Sequence, residues 1–450
     1  MFAFARRMMR FSVAAVASAT GLLAHEPPPQ QPRDAPAVAA LAVAGQALEP
    51  AAALRQQYES YWKLESKRLV KLLDLSPDDA TILSEKVVSA LAELAAENAK
   101  KRPADGEVID PTSSTTDALQ KAVRQALSKS LSADQLKRHQ IEANQRTDFH
   151  RNATVRAITV ALEDSVALDS DQVTQTQALL VKHYDESWIN VMRSLNVTPD
   201  LSRVPLTTIL PQQQQKTLKV MASRGGMMFP GPGQNDGEKS ASAKFRDNLK
   251  VSVAAHIETI QRELKLNAVQ SNKLSVLAEG IQTEVCENRS DALRKVQEMT
   301  VGRQRAMDPS VFEYASAAPG VLFISHRRWM LFVGKIFDED QKQTFGANRN
   351  LRQERRRKQV AEMVTIGMGQ TFGLDVDQMK SLTRLVESNF SKPMSGLKFS
   401  HGFYKAILNI PLEEILAIVG DENMPAWKSQ MDQGRRLLEQ TKNEQEHDNG

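Results

Sequence analysis

A short arrangement that recurs eight times decides where helices in this chain can begin: an apolar residue, a capping-type residue, two further positions, then an amide or acid. The members are Leu75-Ser76-Pro77-Asp78-Asp79, Leu131-Ser132-Ala133-Asp134-Gln135, Leu168-Asp169-Ser170-Asp171-Gln172 and Leu210-Pro211-Gln212-Gln213-Gln214 in the first half. Leu266-Asn267-Ala268-Val269-Gln270, Phe337-Asp338-Glu339-Asp340-Gln341, Leu374-Asp375-Val376-Asp377-Gln378 and, more loosely, Val419-Gly420-Asp421-Glu422-Asn423 follow in the second. Most members supply both partners of a capping box. The second residue accepts a bond from an orphan amide at the helix start, and the Gln three positions on returns one. Asp134, Asp171, Asp340 and Asp377 add negative charge in the first turn, where the helix dipole favours it. Leu131 with Leu136, Leu168 with Val173 and Leu374 with Met379 have the spacing of a hydrophobic staple. Each cap contributes ~1 kcal/mol, so the boxes specify helix boundaries more than they add stability.

The boxes also serve as a ruler. A step of 206 residues carries Leu168 to Leu374, and the same step pairs Leu131 with Phe337, Ile158 with Val364, Val160 with Ile366, Val166 with Phe372, Leu180 with Val386 and Tyr184 with Phe390. The pattern predicts a tandem duplication; the rival is that capping boxes are common and any long helical protein shows several. Nearly every long segment has helical period, strand alternation and Asn-Gly hairpins are missing, and only 5% of residues are aromatic, which favours helix over sheet. The expected fold is all-α, as two tandem, duplicated helical-bundle halves or a short helical-hairpin solenoid.

Composition divides the chain further. Residues 1–25 hold Arg6, Arg7 and Arg10, no acid, and an uncharged run from Phe11 to Ala24, the layout of a signal peptide. That run is shorter than the ~20 residues a membrane span needs. The mature chain is expected to be periplasmic or secreted, with no membrane span; an uncleaved N-terminal membrane anchor and an organelle transit peptide are the alternatives. Residues 26–53, rich in Pro and Ala, read as a disordered linker. Helical repeat half 1 is expected over 54–224, a Gly/Pro-rich and polar linker over 225–247, half 2 over 248–440 and a disordered polar tail over 441–450. Lys100–Thr116, Asn196–Pro205, Met307–Gly320 and Lys392–Gly402 read as further interruptions.

The chemistry-bearing residues form no recognisable catalytic constellation. Cys286 is the single cysteine, so no intramolecular disulfide is possible, and it reads as a buried small hydrophobe. His139, His150, His183, His256, His326 and His401 have no second His or Cys at helix-face spacing for a metal. The Asp-x-Asp pairs 169/171, 338/340 and 375/377 resemble hard-cation ligands, yet each starts one residue after a box's apolar position, and capping explains them. His183-Tyr184-Asp185-Glu186 offers an acid and a base but reads as solvated surface. Gly225–Gly233 lacks the strand and helix of a phosphate loop. The run Arg352-Gln353-Glu354-Arg355-Arg356-Arg357-Lys358 reads as the polar face of a helix, with anion binding as the rival. The apolar stretch Val321–Val333, with Leu322, Phe323, Trp329, Met330, Val333, Ile336 and Phe337 in helical register, reads as a core helix, and a membrane-surface or partner-binding helix is its rival. No metal, cofactor or catalytic residue is expected. A net charge of +4 on 450 residues does not suggest a nucleic-acid binder.

The Leu-(Ser/Asp)-x-Asp-Gln boxes resemble the repeated Leu-Thr-x-x-Gln boxes of the small periplasmic helical proteins that include the Spy and CpxP stress chaperones. This chain is much longer, puts Ser, Asp or Asn where that family has Thr, and spaces its boxes more widely. The resemblance implies an envelope protein that binds unfolded or stress-exposed partners without ATP, and it carries over no binding residue. The expectation is an exported, non-enzymatic protein that binds unfolded or envelope partner proteins. A structural protein dimerising through its helices and an enzyme of unrecognised type stand as alternatives.

Overall fold

The computed structural model describes residues 62, 66–100, 125–188, 199–222, 235–301, 314, 317–390, 407–425, 427–428, 431–432 and 435. Among the described residues every regular element is a helix or a 3-10 turn, and none is a strand. The expected signal peptide, the 26–53 linker, the Gly225–Gly233 loop, Lys392–Gly402 and the 441–450 tail lie outside the described residues.

The helices are α1 (Pro77–Lys100), α2 (Ala133–Val166), α3 (Ser170–Lys182), α4 (Gln212–Ala222), α5 (Asn235–Leu264) and α6 (Ala268–Val301). Then come α7 (Pro319–Ile324), α8 (Arg327–Phe332), α9 (Glu339–Phe372), α10 (Val376–Ser388) and α11 (Leu412–Val419). The 206-residue step is visible in the helix bounds. It carries α2 onto α9, each of 34 residues, and α3 onto α10, each of 13. The polar run 235–247, expected to be linker, is instead the first part of α5.

The chain forms two compact units, one of residues 1–146 with 367–377 and one of 147–366 with 378–450. In the first, Leu83, Val87 and Leu91 recur every four residues along α1 and pack with Trp62, Leu69, Leu73 and Leu127. Pro77 and two acids open α1, and the amide of Asp79 is capped by Ser76 Oγ at 3.1 Å. A buried Arg68–Glu142 ion pair at 2.5 Å spans this core.

The second unit holds two apolar clusters. One joins the end of α2 to α3 and residues 204–210, through Ile158, Leu162, Val166, Leu168, Val173 and Leu180. The other packs Leu249, Val253 and Ile260 of α5 against Leu274, Ile281 and Val285 of α6 and against Leu322, Phe323, Trp329 and Val333. The Val321–Val333 stretch, expected as one core helix, breaks at Ser325-His326 into α7 and α8. Phe323 and Trp329 explain the break: their rings lie 4.5 Å apart, whereas on one continuous helix six residues would separate them by about 9 Å of rise on different faces.

The boxes join these helices. Reciprocal cap bonds of 2.9 to 3.3 Å close the boxes at Ser132/Gln135, Asp169/Gln172, Asn267/Gln270 and Asp338/Gln341. The odd-numbered boxes are also helix stops. Asp74, Ala167, Lys265 and Gly373, each just before a box leucine, have φ of 50°, 62°, 49° and 62°. The amides of Leu75, Leu266 and Leu374 reach the carbonyls of Val70, Gln261 and Gly369 at 3.1, 3.2 and 3.0 Å, the long bond of a Schellman cap.

The box glutamine also has a second task. Gln135 donates to Leu73 O at 3.4 Å, Gln172 to Ile209 O at 3.4 Å and Gln214 to Ala167 O at 2.7 Å. Gln270 donates to Ile336 O at 3.3 Å, Gln341 to Leu264 O at 3.1 Å and Gln378 to Ile418 O at 2.6 Å. Each glutamine therefore caps the chain segment entering the neighbouring box, and Gln135, Gln172, Gln270 and Gln341 also close the start of their own helix. Gln172 with Gln214, and Gln270 with Gln341, bond amide to amide at 2.7 Å. The boxes thus act in successive pairs, 75 with 131, 168 with 210, 266 with 337, and 374 with the turn at 419. Among the described residues the boxes form four such joints along the chain.

Candidate functional site

A buried polar cluster of the second unit is built on the C-terminal end of α2. A helix ends with carbonyls that have no partner in the helix, and here the end is surrounded by protein, so other side chains must supply donors. Ser252, His256 and Thr259 lie four and three residues apart on one face of α5 and provide them. Ser252 Oγ donates to Ser165 O at 2.9 Å, His256 Nε2 bonds Asp164 O at 3.1 Å, and Thr259 Oγ1 donates to Ala167 O at 2.9 Å. Gln214 adds a bond to Ala167 O at 2.7 Å, and Arg352 Nη2 reaches Leu168 O at 3.4 Å. The same arginine contact recurs 206 residues earlier, inside the first unit, where Arg146 Nη2 donates to Leu374 O at 2.7 Å.

Two carboxylates sit in this last turn of α2, where the helix dipole opposes them, and α9 supplies the compensating charge. Arg355 donates to both oxygens of Glu163, its Nε at 3.1 Å, and Arg352 Nε lies 3.3 Å from the same carboxylate. Arg356 holds both oxygens of Asp164 in a bidentate pair, its Nε at 3.1 Å. Burial works against the Arg356 charge, and the Asp164 carboxylate more than offsets it, so its pKa is raised. Nearer the middle of the two helices, Arg156 Nε binds Glu362 at 2.8 Å; burial nevertheless pushes the Glu362 carboxyl up against that pull. The basic run expected to be a solvated face therefore turns Arg352, Arg355 and Arg356 inward.

His256 is 3% exposed, and burial together with the nearby Arg352 pushes its pKa down to about 3. The ring is neutral at physiological pH, and its Nε2–H donates to the Asp164 carbonyl. Gly320, at the start of α7, closes over it. A Cβ there would lie 2.7 Å from Ser252 Oγ, 2.8 Å from Asp164 O and 3.0 Å from His256 Nε2. Because one of these neighbours is backbone, Gly320→Ala is expected to cost close to the upper end of the ~1–3 kcal/mol typical of overpacking. Urea denaturation checks this, with a lowered midpoint and an unchanged slope expected. The arrangement holds a charged helix end within the fold, each group serving as another's partner.

The remaining sequence candidates lie apart from it. Cys286 is half-buried against the α5–α6 cluster, and burial pushes its thiol pKa up. His326 precedes α8, with Nε2 3.4 Å from Glu284, and burial lowers its pKa. His183 is the C-cap of α3, and Asp185 accepts the Ser187 amide at 2.9 Å. Asp169 and Asp338 are helix caps, Asp169 also pairing with Arg262 at 2.7 Å. His401 lies outside the described residues. Among the described residues no three His, Cys, Asp or Glu side chains are grouped to hold a metal ion. Ser252, His256, Thr259 and Gly320 were not singled out together by the sequence; the signal of the first three is a polar stripe at helical spacing among the buried residues of α5.

The surface offers a different chemistry. Val269 and Val276 stand 64% and 63% exposed on α6, and Met330, Leu331 and Phe332 on α8 are 41%, 53% and 40% exposed. Among the described residues no helix is long and apolar enough to cross a membrane. No protein-family model matches the chain, and no curated protein or solved structure matches it.

Proposed function

We propose that the protein is an exported helical scaffold that binds unfolded or envelope proteins without catalysing a reaction. The observation that carries the reading is the exposure of Val269 and Val276. They lie two turns apart on one face of α6, so a partner's apolar segment lying along that helix covers both. The arginines and acids at the end of α2, in contrast, are engaged with one another inside the second unit. The signal-peptide layout of residues 1–25 supports a periplasmic or secreted location. The likeness of the boxes to those of periplasmic stress chaperones supports the same class.

The test uses the purified protein and a chemically denatured client at near-stoichiometric ratio, followed by light scattering. Suppression of aggregation is expected, weakened several-fold by Val269→Asp with Val276→Asp. A photocrosslinker at position 276 should capture envelope proteins in cells. Absence of both suppression and crosslinking would remove the basis for this reading.

A further inference from the structure

Helix α8 carries an inference independent of the α6 face. Its six residues, Arg327-Arg328-Trp329-Met330-Leu331-Phe332, are anchored by Trp329 and the following Val333, both buried. Between these anchors three consecutive large apolar side chains face solvent. Successive helical residues turn by about 100°, so the three cover an arc of about 200°. Such an arc is convex. A rigid protein partner would need a deep complementary cup to receive it, whereas the headgroup and acyl boundary of a lipid layer deforms around it.

The charged residues that α8 and the turn after it contribute are all basic. Arg327 and Arg328 open the helix, and Lys335 ends the 3-10 turn that follows it, with Nζ 4.6 Å from the Phe332 ring centre. No acid occurs between Arg327 and Phe337. Glu284 of α6 pairs with Arg328; Asp338 accepts from the Gln341 amide and Glu339 pairs with Lys342 at 2.6 Å, with Asp340 following in the first turn of α9.

We propose that α8 is a membrane-surface anchor: Met330, Leu331 and Phe332 enter the boundary of an anionic lipid layer while Arg327 and Lys335 meet its headgroups. The helix lies on the surface and does not span it. Each basic residue near an anionic surface strengthens binding about 5-fold.

The experiment is co-sedimentation of the full chain with phosphatidylglycerol-containing vesicles and with pure phosphatidylcholine vesicles. Preference for the anionic vesicles is expected. Arg327→Gln with Lys335→Gln should reduce it about 25-fold, and Met330→Ser, Leu331→Ser, Phe332→Ser at least about 10-fold. The apolar run at residues 11–24 can also meet lipid, so a local reporter is included. Phe332→Trp should gain quenching by brominated acyl chains beyond that of the wild type. Circular dichroism confirms that these variants fold. Equal binding by the wild type and the triple serine variant, or no added quenching at position 332, overturns the proposal. So does a triple variant that loses client binding while keeping its vesicle binding, since the arc would then be a protein site.

Discussion

Arg356→Met is expected to destabilise the protein by ~3–5 kcal/mol, because it leaves the Asp164 carboxylate inside the fold without its counter-charge. Both partners are about one-tenth exposed, and the pair is bidentate. The loss comes from the stranded charge and not from any large net strength of the pair. Arg356→Met combined with Asp164→Leu should therefore recover most of the stability, as buried ion pairs replaced by apolar residues of similar size often do. Urea unfolding of the two single variants and the double variant measures this. Equal losses in the single and the double variant would mean that the ion pair itself, or the packing of the arginine stem, provides the stability.

Acidification should weaken the fold through His256. Its folded pKa is about 3, against 6.5 for the free side chain. Between those values the unfolded chain binds a proton that the folded chain refuses, so stability rises with pH across the window and is lost as pH falls through it. The full effect is about 4–5 kcal/mol by pH 3. Glu263 and Glu362 act in the opposite sense. Burial raises their pKa values above 4.5, so the folded state takes up their protons first and acid relieves a cost. A His256→Gln variant keeps a donor and does not titrate. It should flatten the loss of stability between pH 6.5 and 3 by one proton's worth; an unchanged slope would show that His256 is not held neutral.

What could be read from the residues follows the range of the interaction that decides each feature. Helix starts were legible because a cap is made by residues three positions apart, as at Asp169 and Gln172. The 206-residue step was legible because core positions such as Val166 and Phe372 are both buried at the same place in equal helices. The left-handed residues before the odd boxes were not, since Asp74, Ala167 and Lys265 are not the expected glycine and only Gly373 announces the turn. The direction of the basic run was hidden too. Whether Arg356 meets water or a partner depends on Asp164, 192 residues away. The break at Ser325-His326 likewise leaves the apolar period on either side intact, and a ring contact between Phe323 and Trp329 reveals it.

Paired box glutamines join successive helices. Gln172 and Gln214 are the pair to test, because Pro211 has no amide hydrogen and leaves Gln214 Oε1 free for the Gln172 amide at 2.7 Å. A double-mutant cycle of Gln172→Ala and Gln214→Ala, read by urea denaturation, measures the join directly. A coupling energy of about 1 kcal/mol or more is expected for two buried amides in one network. Losses that add to within about 0.3 kcal/mol would contradict it, leaving the boxes as independent helix caps.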